Sequence, residues 1–378
     1  MLRSAAVAVA LVVLVARGDA CTFCADNVRS VPTLRMQHAQ AKVVLHGTLK
    51  NPRYDTKTDD GFTDLHVAGA LKDDPARGTQ KVLVLRRYLP VIGDTPPEFV
   101  AFFAVADGKL AYTGGAHGTA AVVEYLKGAT KLEVADAPTR LAYFFKHLAS
   151  ADATVAADSF VEFARASDAD IAKSAKHFDP ATLRKLIADA KTPGERLGVF
   201  AFLLGVSGGP ADAAFLGGAL KQTPLPERVR DSFGGLLAGY VLLAPKDGWA
   251  FTAAVLADDN LPYNVRLSSI GTVRFFQATR GADCKADVLK CCAALLPHGD
   301  FADQAIEDLR RWGYWELSAD VFAQFGKKTH AAPIVRRCIV RYALTCPTEE
   351  AKKFVAAVRQ TDPKLVGTVE EQLKMFDK

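Results

Sequence analysis

The chain has 378 residues, of which 24% are charged and 49% hydrophobic, and its formal net charge is +5 at pH 7. This composition is typical of a folded soluble protein. The net charge is too small to predict nucleic-acid binding.

The first 20 residues have the features of a secretory leader. Arg3 precedes an unbroken apolar run over residues 5–16, and small residues stand just before Cys21. A bilayer-spanning helix needs about 20 apolar residues, so this run predicts a signal peptide and not a transmembrane segment. We expect the mature chain to begin at Cys21 and to be secreted or periplasmic. A lipid anchor on Cys21 is the alternative.

From residue 42 the pattern favours short β-strands. The alternation of apolar residues and the turn formers Asp60-Gly61 and Asp107-Gly108 predict a small all-β barrel or sandwich. The five predicted β segments are residues 42–49, 62–72, 81–89, 98–105 and the segment that begins at residue 109. Residues 119–128 that follow are compatible with a last strand or a first helix.

This region resembles the netrin/TIMP-like OB barrel in the order of its features. Cysteines stand at the mature N-terminus. They are followed by Ala39 and a strand with Val43-Val44 and Gly47, then by residues 65–72 and residues 99–110. The resemblance covers about residues 21–130. It implies an OB-like fold and a metalloprotease-inhibitor mechanism, in which the α-amine and carbonyl of Cys21 would bind a protease zinc.

Beyond Pro138 the hydrophobic period becomes helical. Ser167-Asp168 and Asp179-Pro180 are typical helix starts, and helices are predicted over residues 139–148, 153–166, 168–178 and 181–190. We therefore expect an α+β protein of two domains. A small β domain would occupy residues 21–137, and an α-helical repeat domain would occupy residues 138–378.

Five prolines recur at a nearly constant spacing of 33, 36, 35 and 36 residues: Pro193, Pro226, Pro262, Pro297 and Pro333. A period near 35 residues accommodates two short helices and two turns, which is typical of a stacked helical array. Proline suits the first turn of a helix, so these prolines are predicted to open successive first helices. The residues of these first helices that are predicted to be buried include Leu197, Phe200, Ala201 and Leu204; Val265, Ile270, Val273 and Phe276; and Ile334, Cys338, Ile339 and Tyr342.

The repeats also resemble HEAT-like units. Val-Arg steps at 229–230, 265–266 and 335–336 stand near helix starts, and residues 195–205 end in Leu-Gly. The resemblance covers about residues 193–362 and implies a curved α-solenoid with an extended concave surface. As a whole, the chain resembles secreted bacterial proteins of uncharacterised function, which implies no particular activity.

Cys21-Thr22-Phe23-Cys24 is the most specific local motif. Such a pair can form a disulfide, supply two metal ligands or exchange thiols. No second Cys-x-x-Cys exists and no His follows Cys24, which argues against a zinc site and c-type haem. We expect a Cys21–Cys24 disulfide and no cofactor. Reduced, metal-bound and lipid-modified forms stay open.

The segment from Gly205 to Gly209 matches the Gly-x-Ser-x-Gly nucleophile elbow, which would make Ser207 a hydrolase nucleophile. That motif works at a strand-to-helix turn, whereas Ser207 is predicted to lie in an inter-helix turn. We therefore assign no catalytic residue. We expect Gly198, Gly205 and Gly239 to serve close helix packing or turns.

The other chemically notable residues have ordinary structural interpretations. The cysteines at 284, 291, 292, 338 and 346 are expected to be small buried residues, with their pairing left open. The histidines, including His38, His46 and His66, form no metal-binding motif, so no metal site is predicted. From Pro297 onward 13 Lys and Arg stand against 12 Asp and Glu, so the basic pairs at 310–311, 327–328 and 336–337 favour a solvated face of mixed charge.

Together these features favour a non-enzymatic binding or scaffold protein. The helical array and the β domain would supply its binding faces, and another protein or an extracellular polymer would be the partner. Two alternatives stay open. One is an inhibitor-like, metal or thiol module that acts through Cys21, and the other is a hydrolase that uses Ser207.

Overall fold

The computed structural model describes residues 22, 23, 28 and 30–376. The fold is mixed α+β, with a five-stranded antiparallel sheet followed along the chain by helices. Contacts divide the chain into two compact units, residues 1–177 and 178–378. The domain boundary predicted at residue 138 falls within the first unit, at the start of one of its helices.

Five strands form the sheet of the first unit in the order β3-β2-β1-β4-β5, as predicted in number from the sequence. They are β1 (Val43–Asp55), β2 (Asp60–Lys72), β3 (Val82–Leu85), β4 (Glu98–Ala106) and β5 (Lys109–His117). The 3-10 turn Pro75–Arg77 follows β2 and contacts β5 at the other edge of the sheet. The sheet therefore curls toward itself.

The two predicted hairpin turns have different outcomes. Asp107 and Gly108 form the turn between β4 and β5, with φ of 51° and 70°, the left-handed conformation that a tight hairpin needs. The prediction at Asp60-Gly61 is wrong, because these residues already belong to β2. β1 continues to Asp55, which pairs with Asp60, so the turn consists of residues 56–59.

One face of the sheet carries an apolar core. Side chains alternate between faces along a strand, so residues two apart share a face. The buried members of this core are Val43, Leu45, Leu49, Leu65, Leu83, Leu85, Phe99, Ala101 and Phe103.

Short helices complete the first unit. They are α1 (Leu34–Gln40), α2 (Ala120–Ala129), α3 (Ala137–His147), α4 (Ala153–Ala164) and α5 (Asp168–Ser174). The segment left open between strand and helix is thus a helix. The Thr119 hydroxyl accepts from the Val122 N–H at its start, an N-cap that satisfies one of the unpaired first-turn donors. Ser167 caps α5 in the same way, as predicted.

The second unit consists of helices and turns within the described residues. Its helices are α6 (Pro180–Ala188), α7 (Gly194–Ser207), α8 (Pro210–Leu220), α9 (Glu227–Asp231), α10 (Phe233–Leu243), α11 (Pro245–Ala257), α12 (Tyr263–Arg280), α13 (Lys285–Leu295), α14 (Ala302–Trp312), α15 (Ser318–Phe322), α16 (Pro333–Thr345), α17 (Glu349–Thr361) and α18 (Pro363–Phe376). Helices α7, α10 and α12 contact one another in succession, as do α14, α16 and α18. No helix among the described residues combines the length and the apolar character needed to cross a membrane.

Four of the five periodic prolines open helices as predicted. Pro193, Pro226 and Pro262 immediately precede α7, α9 and α12, and Pro333 is the first residue of α16. The prediction at Pro297 is wrong. This residue lies in the turn after α13, and α14 begins only at Ala302, whose N–H donates to His298.

Candidate functional site

The sequence motif at the predicted mature N-terminus is only partly visible, since Cys21 and Cys24 lie outside the described residues. Thr22 between them is described. Its backbone N–H and its hydroxyl donate to the Asp168 carboxylate at 3.3 and 2.8 Å. Asp168 therefore holds the residue next to Cys21. The Cys21–Cys24 disulfide and the inhibitor-like role of Cys21 stay predictions.

Two buried carboxylates of α4 hold the first turn of α1. Asp158 accepts from the Leu34 N–H at 2.7 Å, and Glu162 accepts from Arg35 Nε and Nη2 at 3.2 and 3.1 Å. The two acids are four residues apart and so lie on one face of α4. The other oxygen of Asp158 accepts from the Tyr125 hydroxyl at 2.7 Å. This cluster anchors the segment between Cys24 and the sheet.

Burial shifts the pKa values of this cluster. Burial raises the pKa of Asp158 to about 6, although the hydrogen bonds from Leu34 and Tyr125 act in the opposite direction. Burial also raises the pKa of Tyr125, so its hydroxyl stays protonated and can donate. The cluster has the character of a structural anchor.

Ser207 does not occupy a nucleophile elbow. It is the last residue of α7, and its hydroxyl donates to the Leu203 carbonyl within that helix at 2.8 Å. An elbow needs a strand-to-helix turn that exposes the hydroxyl. The chain here passes from one helix to the next, because Pro210 is the first residue of α8.

The glycines near Ser207 serve helix packing, as predicted. A Cβ on Gly239 would lie 2.3 Å from the Ala201 carbonyl oxygen, and one on Gly205 would lie 2.6 Å from the Gly239 Cα. A Cβ on Gly235 would lie 2.4 Å from the Gly198 Cα. Helices α7 and α10 thus approach so closely that only glycine fits at their contact.

The five described cysteines are buried and free, which confirms that they are small buried residues. Burial raises the pKa of Cys292 to about 12 and that of Cys338 to about 11, so these thiols are weak nucleophiles. Over the part of the chain that the structure describes, no group of three or more His, Cys, Asp or Glu side chains is placed to hold a metal.

A polar groove of about 450 Å³ lies across four helices of the second unit, α12, α14, α16 and α18. Four arginines and three carboxylates line it, which leaves an excess of one positive charge. Its lining consists of Arg274, Asp303, Gln304, Glu307, Asp308, Arg311, Ile334, Arg337, Cys338, Arg341 and Gln372. We define these residues as the arginine groove.

Glu307 is the electrostatic centre of the arginine groove. Its carboxylate contacts Arg310 Nη2 at 2.8 Å, Arg311 Nε at 3.2 Å and Arg341 Nη1 at 3.5 Å. Burial acts to raise the pKa of Glu307, but the arginines outweigh it and lower this pKa overall. One carboxylate is therefore shared among three guanidinium groups.

A second ion pair fixes the other end of the groove. Arg274 Nε donates to Asp308 at 2.7 Å, and Arg274 Nη2 donates to the Gln304 side-chain oxygen at 3.2 Å. These contacts join α12 to α14. Asp308 is buried, and the ion pair that its carboxylate makes within the described residues is with Arg274.

Arg337 differs from its neighbours, since it makes no ion pair within the described residues. It is half-buried and stands one turn before Arg341 on α16. Nearby Ile334 is 53% exposed, so the prediction that it is buried is wrong. Its position on α16 points it toward the rim of the groove instead of the core.

Sequence reasoning missed the arginine groove, although one signal was available. Arg274, Asp308 and Arg341 are separated by 34 and 33 residues, close to the spacing of the periodic prolines, and lie on α12, α14 and α16. The count of charges predicted only a solvated mixed face.

No known protein-family model, curated protein or solved structure matches this chain.

Proposed function

We propose that this chain is a secreted, non-enzymatic binding protein that holds its partner in the arginine groove. The observation that carries the proposal is the groove itself, which crosses α12, α14, α16 and α18 and has several charged side chains that ion pairs hold in place. Preorganised polar groups lose less conformational entropy when a ligand binds. A partner protein or an extracellular polymer would therefore find a prepared surface.

A HEAT-like array is the architecture that we propose for the second unit. Its Val-Arg step at 265–266 buries Arg266, which is 3% exposed and contacts Asp259 at 3.3 Å and Asp300 at 3.2 Å. Asp300 is 34 residues further along the chain and belongs to the next proposed repeat. This repeat would thus be fixed by a side chain of its neighbour, which agrees with the nearest-neighbour stability of a solenoid.

An OB-like barrel is the architecture that we propose for the sheet of the first unit. Its five antiparallel strands, with β1 between β2 and β4, and the contact of residues 75–77 with β5 support a partly open barrel. OB-like barrels and solenoids both present binding faces. This agrees with a binding protein and assigns it no reaction.

Site-specific photo-crosslinking tests the proposed function. A photoreactive amino acid at Ile334 stands at the groove rim, and one at Lys353 provides a control, since Lys353 is exposed on α17 and does not line the groove. The full chain, expressed with its leader, is irradiated in the secreted fraction. We expect a discrete adduct from position 334 and none from position 353. Equal labelling at both positions, or no adduct at 334, would contradict binding in the groove.

A further inference from the structure

We propose that the arginine groove recognises a single carboxylate of an acidic peptide segment, with Arg337 as the principal receiving group and Arg311 and Arg341 beside it. This inference rests on the proposed function and specifies its chemistry. It follows from three observations: an arginine, Arg337, without an ion pair among the described residues, one carboxylate that three other arginines share, and free amide and apolar groups around them.

The uncommitted guanidinium is that of Arg337. It lines the groove, is half-buried and has no ion-pair partner within residues 30–376. A guanidinium presents donors in a planar fork that matches a carboxylate in two-point contact. Since Arg337 and Arg341 are four residues apart on α16, their side chains lie on the same face of that helix and can approach one oxyanion together.

The shared carboxylate is that of Glu307. Arg310, Arg311 and Arg341 all use this one side chain, and Asp308 is committed to Arg274. An incoming oxyanion would complete the coordination of arginines that now share one acceptor. Hydrogen bonds to such ionised groups are among the stronger ones in proteins.

The charge of the lining favours a carboxylate over a phosphate. Four arginines against three carboxylates leave one positive charge, which one carboxylate would neutralise. Asp303, which also lines the groove and makes no ion pair among the described residues, would oppose a second negative charge. A dianionic phosphate would therefore meet more repulsion than a carboxylate, which carries a single negative charge.

The neutral part of the lining favours a peptide as the source of the carboxylate. The side-chain oxygens of Gln304 and Gln372 accept from Arg274 and Arg341, and their Nε2 groups make no hydrogen bond to the described residues. These amides can donate to backbone carbonyls. The 53% exposed Ile334 at the rim can contact an adjacent apolar side chain.

Calorimetry on the full chain tests the proposal with blocked peptides. The probes are an acetylated and amidated Glu-Leu peptide, its Gln-Leu counterpart and inorganic phosphate. At low ionic strength we expect the Glu peptide to bind at least about tenfold more tightly than the Gln peptide. This preference should weaken as salt is added. Arg337→Gln should abolish it, and Lys353→Gln, which removes an exposed cation outside the groove, should preserve it.

Several results would overturn the proposal. Equal affinity for the two peptides, or phosphate binding as tight as that of the Glu peptide, would exclude recognition of a single peptide carboxylate. Tryptophan fluorescence and the thermal midpoint verify that each variant is folded. If the photoreactive amino acid at position 334 cross-links a partner, and Arg337→Gln does not change the binding of that partner, the proposed function stands and this inference fails. If the Glu peptide binds as expected but Ile334 yields no adduct, only the proposed function fails.

Discussion

The backbone N–H of Leu34 donates a 2.7 Å hydrogen bond to the buried carboxylate of Asp158, 124 residues further along the chain. Leu34 begins α1, so Asp158 supplies to this helix an acceptor that its own first turn lacks. The negative charge also lies at the favourable end of the helix dipole. The segment that follows Cys24 is thus attached to α4 by a long-range contact.

The pKa of Asp158 predicts how this attachment depends on pH. Its pKa is about 6 in the folded chain against 3.8 in a model compound, so the folded state binds the proton more tightly. The protonated form therefore adds stability that is present at low pH and is lost as pH rises through about 6. We expect Asp158→Asn to cost about 1 kcal/mol more at pH 5 than at pH 7.

Hydrogen exchange of the α1 amides, corrected for the intrinsic rate at each pH, measures this difference. Burial lowers the pKa of His38, His46 and His147, so these histidines make the folded state less stable as pH falls, which is opposite to the effect of Asp158. The comparison must therefore be between wild type and variant at each pH. Amides of α12 in the second unit provide the internal reference. A variant whose cost is the same at both pH values would show that Asp158 does not take up the proton.

The glycine contact between α7 and α10 predicts a large effect from one methyl group. In Gly239→Ala the new Cβ would lie 2.3 Å from the Ala201 carbonyl oxygen, so the helices must separate. We expect a loss of about 1–3 kcal/mol in the free energy of unfolding. Gly218→Ala on α8 is the matched control, since its Cβ would meet no atom within 4 Å. It should be neutral or stabilising by up to about 1 kcal/mol.

Urea unfolding followed by tryptophan fluorescence compares the two glycine variants. All tryptophans of the chain, Trp249, Trp312 and Trp315, belong to the second unit, so the signal reports on that unit. Similar midpoints for the two variants would mean that the helices can separate without cost. The close-packing interpretation of Gly239 would then be wrong.

The sequence predicted elements better than it predicted their contacts. Proline at 262 opens a helix because its fixed φ suits the first turn, and the same chemistry places Pro297 just after a helix, where the chain must leave it. Local composition cannot separate these two cases. The Asp60-Gly61 error has a similar origin, since residues 56–59 can also turn and the register of β1 with β2 decides between them.

The arginine groove was harder to predict because it depends on the register of neighbouring helices. Arg310 and Arg311 come from the same helix as Glu307, but Arg341 is 34 residues away and arrives through the packing of α14 against α16. Ile334 fits the apolar period of α16, but it is exposed. A hydrophobic period predicts which face of a helix is apolar; it does not predict how far along the helix a neighbouring element buries that face.

The mature N-terminus yields a prediction that one mass measurement decides. If residues 1–20 are a signal peptide and Cys21 pairs with Cys24, the secreted protein should lack 20 residues and two further hydrogens. Reduction should restore the two hydrogens, and Cys24→Ser should remove the difference. An added diacylglycerol on Cys21 would instead establish a lipid anchor.

The stacking that we propose for the second unit predicts how damage spreads from one buried ring. Phe276 on α12 is fully buried and lies 5.2 Å from the ring of Trp249, so its truncation opens a cavity between α11 and α12. We expect Phe276→Ala to cost about 3–5 kcal/mol and to alter the tryptophan emission. Phe376, the natural comparison near the chain end, has a side chain outside the described residues.

Phe354 on α17 provides a comparison for Phe276 in the last helix pair. Its ring stacks 4.5 Å from Phe322, but it is only partly buried, so Phe354→Ala should cost less. In an array held by nearest neighbours, Phe354→Ala should expose to hydrogen exchange only the helices from α15 onward, whereas Phe276→Ala should expose both sides of α12. Deletion of residues 363–378 should likewise loosen α16 and α17 and leave the first unit protected. If Phe354→Ala unprotects the whole second unit as severely as Phe276→Ala does, the unit unfolds as one block and is not a stack of repeats.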